Sequence, residues 1–169
     1  MALGAKTLSN LQEAHKLKYD NANIFAKILR GEALCIKVHE DDCTLAFMDI
    51  MPQVEGHTLV IPKEPASSLF DLSDSASLAC MRTVKIVAKA VELAMGVKGS
   101  TVFQHNGKEA GQTVPHFHFH IFPGSIFNAS GIKGHAVEMA DPAELELVAE
   151  KIRAFIGEAT IQVHQVTKP

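Results

Sequence analysis

The 169-residue chain lacks several features that define common protein classes. It has no apolar run approaching about 20 residues, and its N-terminus lacks an apolar signal core, which argues against a membrane span or secretion. Lysine and arginine are scattered, and the net charge of −3 argues against a nucleic-acid groove, which needs a basic stripe. We therefore expect a soluble, cytoplasmic protein that binds neither membranes nor nucleic acids.

Cysteine is also scarce. The three cysteines, Cys35, Cys43 and Cys80, are an odd number, and their spacing is unlike that of metal sites. This usage favours small, reduced, buried or half-buried thiols in a reducing compartment. The hydrophobic share of 47% is in turn enough to bury one proper core, so a single domain is the simplest expectation.

The most informative feature is the alternation of histidine with phenylalanine over residues 116–120. Side chains alternate between the two faces of a strand, so His116, His118 and His120 are predicted to share one solvent-reachable face. Phe117 and Phe119 then point into a core. Three imidazoles in a row can supply a nucleophile, a proton carrier and donors for an anion near neutral pH. The row therefore predicts a functional site.

Two kinds of site fit such a row. Two histidines separated by one residue on a strand can share a zinc ion. The upstream segment, however, supplies neutral donors from Gln112 and Thr113, and no carboxylate follows the row at short spacing. Asn106-Gly107 is a turn signal, and Gly111 permits a close backbone approach. Binding of an anion such as phosphate is thus favoured, with a zinc site as the alternative.

Longer motifs around this row resemble the histidine-triad family of nucleotide hydrolases and transferases. Residues 111–123 read GQTVPHFHFHIFP, the form of the family's signature. Three further motifs occur in the family's order, namely IFAKILRGE at 24–32, LAFMDIMP at 45–52 and GHTLVIPK at 56–63. The resemblance covers about residues 21–124 and is strongest to the purine nucleoside phosphoramidase-like branch.

The patterning predicts an α+β fold, and the resemblance implies the family's antiparallel five-stranded sheet. A short helix capped by Asn21 or Asn23 and a long helix from Ser73 to near Gly96 are expected. Strands are predicted at about 35–40, 43–49, 57–61, 100–105 and 115–122. The chain divides into an N-terminal extension (1–20), a catalytic domain (21–124) and a C-terminal extension (125–169) with a helix at about 142–156.

The resemblance implies catalytic roles for four histidines. His118 matches the family's nucleophile, whose attack on a nucleotide α-phosphorus would form a nucleotidyl-histidine that water then cleaves. For this attack, one nitrogen of the His118 ring must be protonated and donate a hydrogen bond to an acceptor, so that the other nitrogen carries a lone pair. His120 and His57 match histidines that hydrogen-bond phosphate oxygens or the leaving side. His116 matches the histidine that orients the nucleophile.

The resemblance also implies a nucleotide-binding set. A ribose diol needs a carboxylate, and Asp49 matches that role, although an aspartate at this place before Pro52 can instead cap a turn. Gln112 and Thr113 would hold the phosphate and the leaving group. The purine needs an apolar slot, and some of the residues that match the family's slot are expected to be ordinary core. The matching residues are Ile24, Phe25, Ile28, Phe47, Ile50 and Leu59.

The chain departs from the family pattern at several positions. His105 stands where the phosphoramidase-like branch commonly has an asparagine that contacts the phosphate region, and it is predicted to bind the nucleotide there as a hydrogen-bond donor. Gly124 stands where many relatives have an arginine. Asn23 and Ala26 occupy the places of a zinc-binding Cys-x-x-Cys pair found in some members, so neither metal nor cofactor is expected. The changes at His105 and Gly124, together with a C-terminal stretch longer than that of the small phosphoramidases, leave the substrate open more than the reaction type.

The resulting prediction is a nucleotide hydrolase that cleaves at the α-phosphorus of purine nucleoside 5′-phosphoramidates or related adenylates. An AMP-containing substrate and a two-fold homodimer are implied by the resemblance. Dinucleoside polyphosphate hydrolysis by the same histidine is the alternative enzymatic activity. A further alternative, from a class other than enzymes, is a regulatory module that binds a nucleotide and turns it over slowly.

Overall fold

The computed structural model describes residues 19–127 and 138–165. The strands pair antiparallel in the order β1-β2-β3-β5-β4, which confirms the expected α+β fold with a five-stranded sheet. The predicted N-terminal extension lies outside the described residues except for its last two. The elements are α1 (Ile24–Leu29), β1 (Lys37–Glu40), β2 (Thr44–Met48), β3 (Thr58–Pro62), α2 (Asp74–Met95), β4 (Ser100–Gln104), β5 (Phe119–Pro123) and α3 (Pro142–Gln165).

Short polar side chains set the ends of these elements. Asn23 caps α1 by accepting a 2.9 Å hydrogen bond from the Ala26 amide. Ser73 caps α2 in the same way, and this helix ends at Gly96, which has a left-handed φ of 65°. Asp41 accepts from the amide of Thr44 at 2.7 Å and so closes the β1–β2 turn.

The alternation along each strand sends side chains into two separate layers. Val60 and Ile121 face α2 and α3 and belong to the main core. Leu59 faces the opposite side and packs in a cluster with Phe47 and with Phe25 of α1. His120 is paired with Leu59 across β3 and β5, so both side chains project from the same face. The sheet therefore separates the main core from the face that carries the histidines.

Helix α3 is longer than the sequence predicted. Gly157, the expected end, lies inside the helix, which continues to Gln165. The buried stripe explains the extension, because Ile152 and Ala159 are both fully buried in the main core and lie on either side of Gly157. Arg153 also donates a 2.6 Å hydrogen bond to the Lys37 carbonyl and so covers the β1 edge of the sheet. Although α2 and α3 are long, no helix among the described residues is apolar enough over its length to cross a membrane.

The packing of α3 predicts that its buried face stabilises the whole domain. Ile152→Ala should lower the free energy of unfolding by about 2–4 kcal/mol, since it opens a cavity in the main core. Ile161→Ala, in the same helix but 60% exposed, should cost less than about 0.5 kcal/mol. Urea denaturation of both variants measures the difference, and equal stabilities would contradict this packing.

Candidate active site

The histidine row lies at the beginning of β5 rather than along it. The strand starts at Phe119, so His120 is in the sheet, whereas His116 and His118 belong to the segment that leads into it. The alternation nevertheless persists through this segment. Phe117 packs into a small cluster with Ala66 and Cys80, while the rings of His118 and His120 meet edge to face with centroids 4.9 Å apart.

The histidines are more buried than the predicted solvent-reachable face implied. His116, His118 and His120 expose 0%, 3% and 8% of their surface. Aromatic rings account for this burial. Phe25 lies edge-on to His118 with centroids 5.1 Å apart, and Phe103 stacks on His120 at 4.6 Å and an interplanar angle of 7°. The imidazoles therefore lie in a largely desolvated layer, where unpaired charge is costly.

His118 has the protonation geometry of a nucleophile. Its Nδ1 lies 2.6 Å from the carbonyl oxygen of His116. Since a carbonyl can only accept a hydrogen bond, Nδ1 carries the proton. In the neutral ring Nε2 then holds a lone pair, the form that a covalent catalyst requires.

His116 is held at both of its ring nitrogens. Nε2 donates to the Pro62 carbonyl at 3.0 Å, and Nδ1 is hydrogen-bonded to the hydroxyl of Tyr19. Burial lowers the pKa of His116 to about 4, so the ring is neutral near pH 7. His116 thus contacts β3, the N-terminal segment and, through its own carbonyl, the ring of His118.

A second group joins Asp49, His57 and His120. His57 Nε2 lies 2.9 Å from His120 Nδ1, and His57 Nδ1 lies 3.3 Å from Asp49 Oδ2. Burial, with a smaller contribution from the nearby His118, lowers the pKa of His57 to about 3. The other Asp49 oxygen accepts a 2.9 Å hydrogen bond from the Met51 amide, which is the turn cap that the sequence offered as an alternative role.

Gly56 allows the chain to turn into β3 immediately before His57. Its φ of 85° lies in the left-handed region that favours glycine. A Cβ at this position would lie 3.0 Å from Met95 Cγ and 3.3 Å from Pro123 Cγ. The end of α2 and the end of β5 are therefore packed directly against the turn that places His57.

The structure places the predicted phosphate-binding residues in different settings. Gln112 is buried, and its amide donates to the carbonyls of Ser67 at 2.7 Å and Val114 at 2.9 Å. Its side-chain oxygen accepts from the Gly107 amide, so this side chain braces the loop before the histidine row. Thr113 is exposed beside it. His105 is half-buried and lies 5.7 Å from His120, measured between ring centroids.

The six residues predicted for the purine slot are only partly brought together. Phe25, Phe47 and Leu59 share one buried cluster, against which Ile28 packs. Ile24 is 46% exposed at the start of the same helix. Ile50 packs instead against the main core on the other side of the sheet. An apolar surface from α1, β2 and β3 therefore adjoins the histidines, with Ile50 apart from it.

One set of side chains has the composition of a metal site. Asp49, His57 and His120 each offer one ligand atom, and these atoms lie within 4.8 Å of one another. The His57–His120 hydrogen bond already joins two of the ring nitrogens, so an ion that used both of them would have to replace it. Asn23, at the place of a family cysteine, caps α1.

The comparisons with known proteins agree with this geometry. The model of the HIT domain, the histidine-triad domain, matches residues 30–126. The chain belongs to the HIT family. It is 45% identical over 133 residues to the adenosine 5′-monophosphoramidase hnt1 of Schizosaccharomyces pombe, covering 79% of this chain and 97% of that protein. The HIT resemblance read from the motifs is therefore confirmed.

Two further HIT relatives extend the comparison. The adenylylsulfatase HINT3 of Arabidopsis thaliana is 37% identical over 70% of this chain and 62% of its own length. The crystal structure of a HIT-like protein involved in cell-cycle regulation from Bartonella henselae is 45% identical, with a TM-score of 0.73 over 80% of this chain and 97% of that one. Sequence and fold thus point to the same family.

Three contacts of the HIT site were not anticipated from the sequence. Phe103 stacks on His120, the Pro62 carbonyl accepts from His116, and the Tyr19 hydroxyl is hydrogen-bonded to His116. Phe103 could have been found from the pairing of β4 with β5, which sets it opposite His120. Tyr19 precedes the matched family region and belongs to no motif, so no sequence signal marked it.

The lowered pKa values of His57 and His116 predict a loss of stability in mild acid. The unfolded state takes up protons below pH 6.5, whereas in the folded state the His57 ring stays neutral until about pH 3 and the His116 ring until about pH 4. Between pH 7.5 and pH 5 the free energy of unfolding should therefore fall by about 2 kcal/mol for each histidine. Urea titrations at the two pH values measure this fall.

An NMR titration of the imidazole C–H signals is the control for this assignment. The signals of His57 and His116 should not shift between pH 7.5 and pH 5, because both rings stay neutral there. Equal stability at the two pH values, or titration of either buried ring near its ordinary pKa, would contradict the prediction.

Proposed function

We propose that this HIT protein hydrolyses AMP-containing nucleotides at the α-phosphorus, with purine nucleoside 5′-phosphoramidates and related adenylates as its substrates. One observation carries the proposal. The His118 Nδ1–H is fixed on the His116 carbonyl, which leaves the Nε2 lone pair for in-line attack. The relatives named adenosine 5′-monophosphoramidase and adenylylsulfatase support the same substrate class.

The reaction proceeds in two displacements. His118 Nε2 forms a bond to the α-phosphorus while the bond from phosphorus to the leaving nitrogen or oxygen breaks, and the leaving group takes up a proton. Water then attacks the nucleotidyl-histidine, the N–P bond breaks, and AMP is released with a neutral His118. Because each displacement inverts the configuration at phosphorus, the overall result is retention.

The neighbouring residues support both steps. His120 and His57 are linked by a 2.9 Å hydrogen bond, and we assign this pair to the phosphate oxygens or the leaving side. We assign the ribose to Asp49 and the purine to the apolar cluster of Phe25, Phe47 and Leu59. Gln112 acts through the loop that it braces.

A comparison of substrates tests the proposal. The kcat/KM for an adenosine 5′-phosphoramidate should exceed that for diadenosine polyphosphates, and the reverse order would establish the polyphosphate hydrolase instead. AMP should raise the thermal unfolding temperature through binding to the folded state. Binding of AMP without turnover of any of these substrates would favour the regulatory module. Loss of activity in EDTA with restoration by zinc would establish a metal-dependent reaction.

The nucleophile is tested by His118→Ala. This variant should lose about 10³-fold or more in kcat and still bind AMP, because only the attacking nitrogen is removed. His164→Ala, at an exposed position on α3, is the matched control and should retain full activity. Measurement of kcat and of AMP affinity in both variants decides the point, and near-wild-type turnover by His118→Ala would end the covalent mechanism.

We also propose that the protein is a homodimer joined through β4. The two edges of the sheet differ, since the Arg153 hydrogen bond covers β1, whereas β4 pairs only with β5 among the described residues. Val102 of β4 is 39% exposed, and Met81 of the adjacent α2 is 47% exposed. An uncovered edge beside apolar side chains is a surface that a second copy can pair with.

A charge on this edge should separate the subunits. Val102→Glu is expected to convert a wild-type dimer into a monomer, because two carboxylates would face each other across the paired edges. Ile161 is also an exposed apolar residue, but it lies on α3, so Ile161→Glu should leave the dimer intact. Light scattering after size-exclusion chromatography gives the mass, and a monomeric wild type at micromolar concentration would refute the proposal.

A further inference from the structure

Tyr19 lies outside the matched family region yet contacts the histidine that holds the nucleophile. Its hydroxyl is hydrogen-bonded to His116 Nδ1. The two rings also meet edge to face, with centroids 5.5 Å apart. Tyr19 thus contacts the histidine row through both its hydroxyl and its ring.

The direction of the Tyr19–His116 hydrogen bond follows from the other side of the ring. The Pro62 carbonyl can only accept, so the His116 proton is on Nε2. The neutral ring therefore presents a lone pair at Nδ1, and the Tyr19 hydroxyl must donate to it. The imidazole is fixed from two directions, by β3 and by the segment before α1.

This fixation reaches the nucleophile through the backbone. The His116 carbonyl accepts the 2.6 Å hydrogen bond from His118 Nδ1. His116 precedes β5, so no sheet pairing holds the peptide group between His116 and Phe117. The Phe117 amide of this group donates to the Ala66 carbonyl at 2.7 Å, and the His116 carbonyl also accepts from Gln112 Nε2 at 3.4 Å. The His116 ring, anchored at both of its nitrogens, is a third support of the same group. Any rotation of the peptide would turn the His118 ring away from its line of attack.

We propose that Tyr19 is a positioning residue for the nucleophile, which holds the His116 peptide so that its carbonyl aims the His118 ring at the α-phosphorus. This inference rests on the proposed function, because it assigns Tyr19 to the same reaction. Tyr19 acts through His116 and makes no contact with the reacting atoms. Its contribution should therefore appear in kcat and not in substrate binding.

The surroundings keep the phenol protonated. Burial is the largest effect and raises its pKa above the ordinary value of 10. The polar side chain of Asn23 and the charge of Arg30 lower the pKa by less, and the charge of Asp20 raises it. His116 is the titratable group in contact with the hydroxyl, and it is neutral above about pH 4. Tyr19 thus remains a donor throughout the neutral pH range.

The first test is Tyr19→Phe, which keeps the ring and removes only the hydroxyl. The kcat for an adenosine 5′-phosphoramidate should fall about tenfold, the scale of one lost hydrogen bond at a buried site. KM, AMP affinity and the far-ultraviolet dichroism should be unchanged. A role in stability alone would lower the unfolding temperature and leave kcat of the folded enzyme as it was.

The second test uses the fact that the chain contains a single tyrosine. Global replacement of tyrosine by tetrafluorotyrosine changes residue 19 alone and lowers the phenol pKa toward neutrality. The ionised phenol cannot donate to His116 Nδ1. The kcat of the fluorinated enzyme should therefore show a new fall on the alkaline side, at the pH where the phenol absorbance titrates. Neither the unsubstituted enzyme nor Tyr19→Phe should show it.

The outcomes separate this inference from the proposed function. Absence of turnover in the wild type, or full activity in His118→Ala, defeats the proposed function itself. If the wild type is active and depends on His118, then an unchanged kcat in Tyr19→Phe or the absence of the new alkaline fall overturns the role of Tyr19. Should Tyr19→Phe fail to fold, the fluorinated protein decides alone, because it keeps both ring and hydroxyl.

Discussion

The site depends on the hydrogen bond from His118 Nδ1 to the carbonyl of His116. A carbonyl within a paired strand is normally used by the neighbouring strand. Here β5 begins only at Phe119, so the segment before it keeps a backbone acceptor for a side chain. The late start of the strand thus fixes the tautomer of the central imidazole. The Gln112 side chain and the Tyr19 hydroxyl hold this unpaired segment from either side.

Burial gives the site its electrostatic character. His116 and His57 are held neutral by desolvation, and Phe25 and Phe103 keep water away from the remaining two rings. An unpaired charge in this buried layer would be costly, while the hydrogen-bond donors of the row are already oriented. The same desolvation makes the folded state sensitive to acid. The proposed reactivity and the stability therefore depend on a common set of rings.

The elements and their order could be read from the sequence because they follow local rules. The stripe of α2, the caps at Asn23 and Ser73 and the alternation in β3 each leave a periodic or capping signal. The end of α3 could not be read in this way, since the burial of Ala159 outweighs the local preference of Gly157. In the site, the histidine roles were inferred from the motifs and stay predictions. The burial of the histidines under aromatic rings, the contact of Gln112 with Ser67 and the packing of Ile50 on the main core depend on residues distant in sequence and left no local signal.

The position of Tyr19 has a practical consequence for spectroscopy. The chain contains no tryptophan, and its one tyrosine touches a ring of the histidine row. The intrinsic tyrosine fluorescence of the native protein therefore originates beside His116. In most proteins the corresponding signal is a mixture from several fluorophores. Its intensity reports the state of this one phenol, so the protein carries a built-in optical probe next to its histidine row and needs no attached dye.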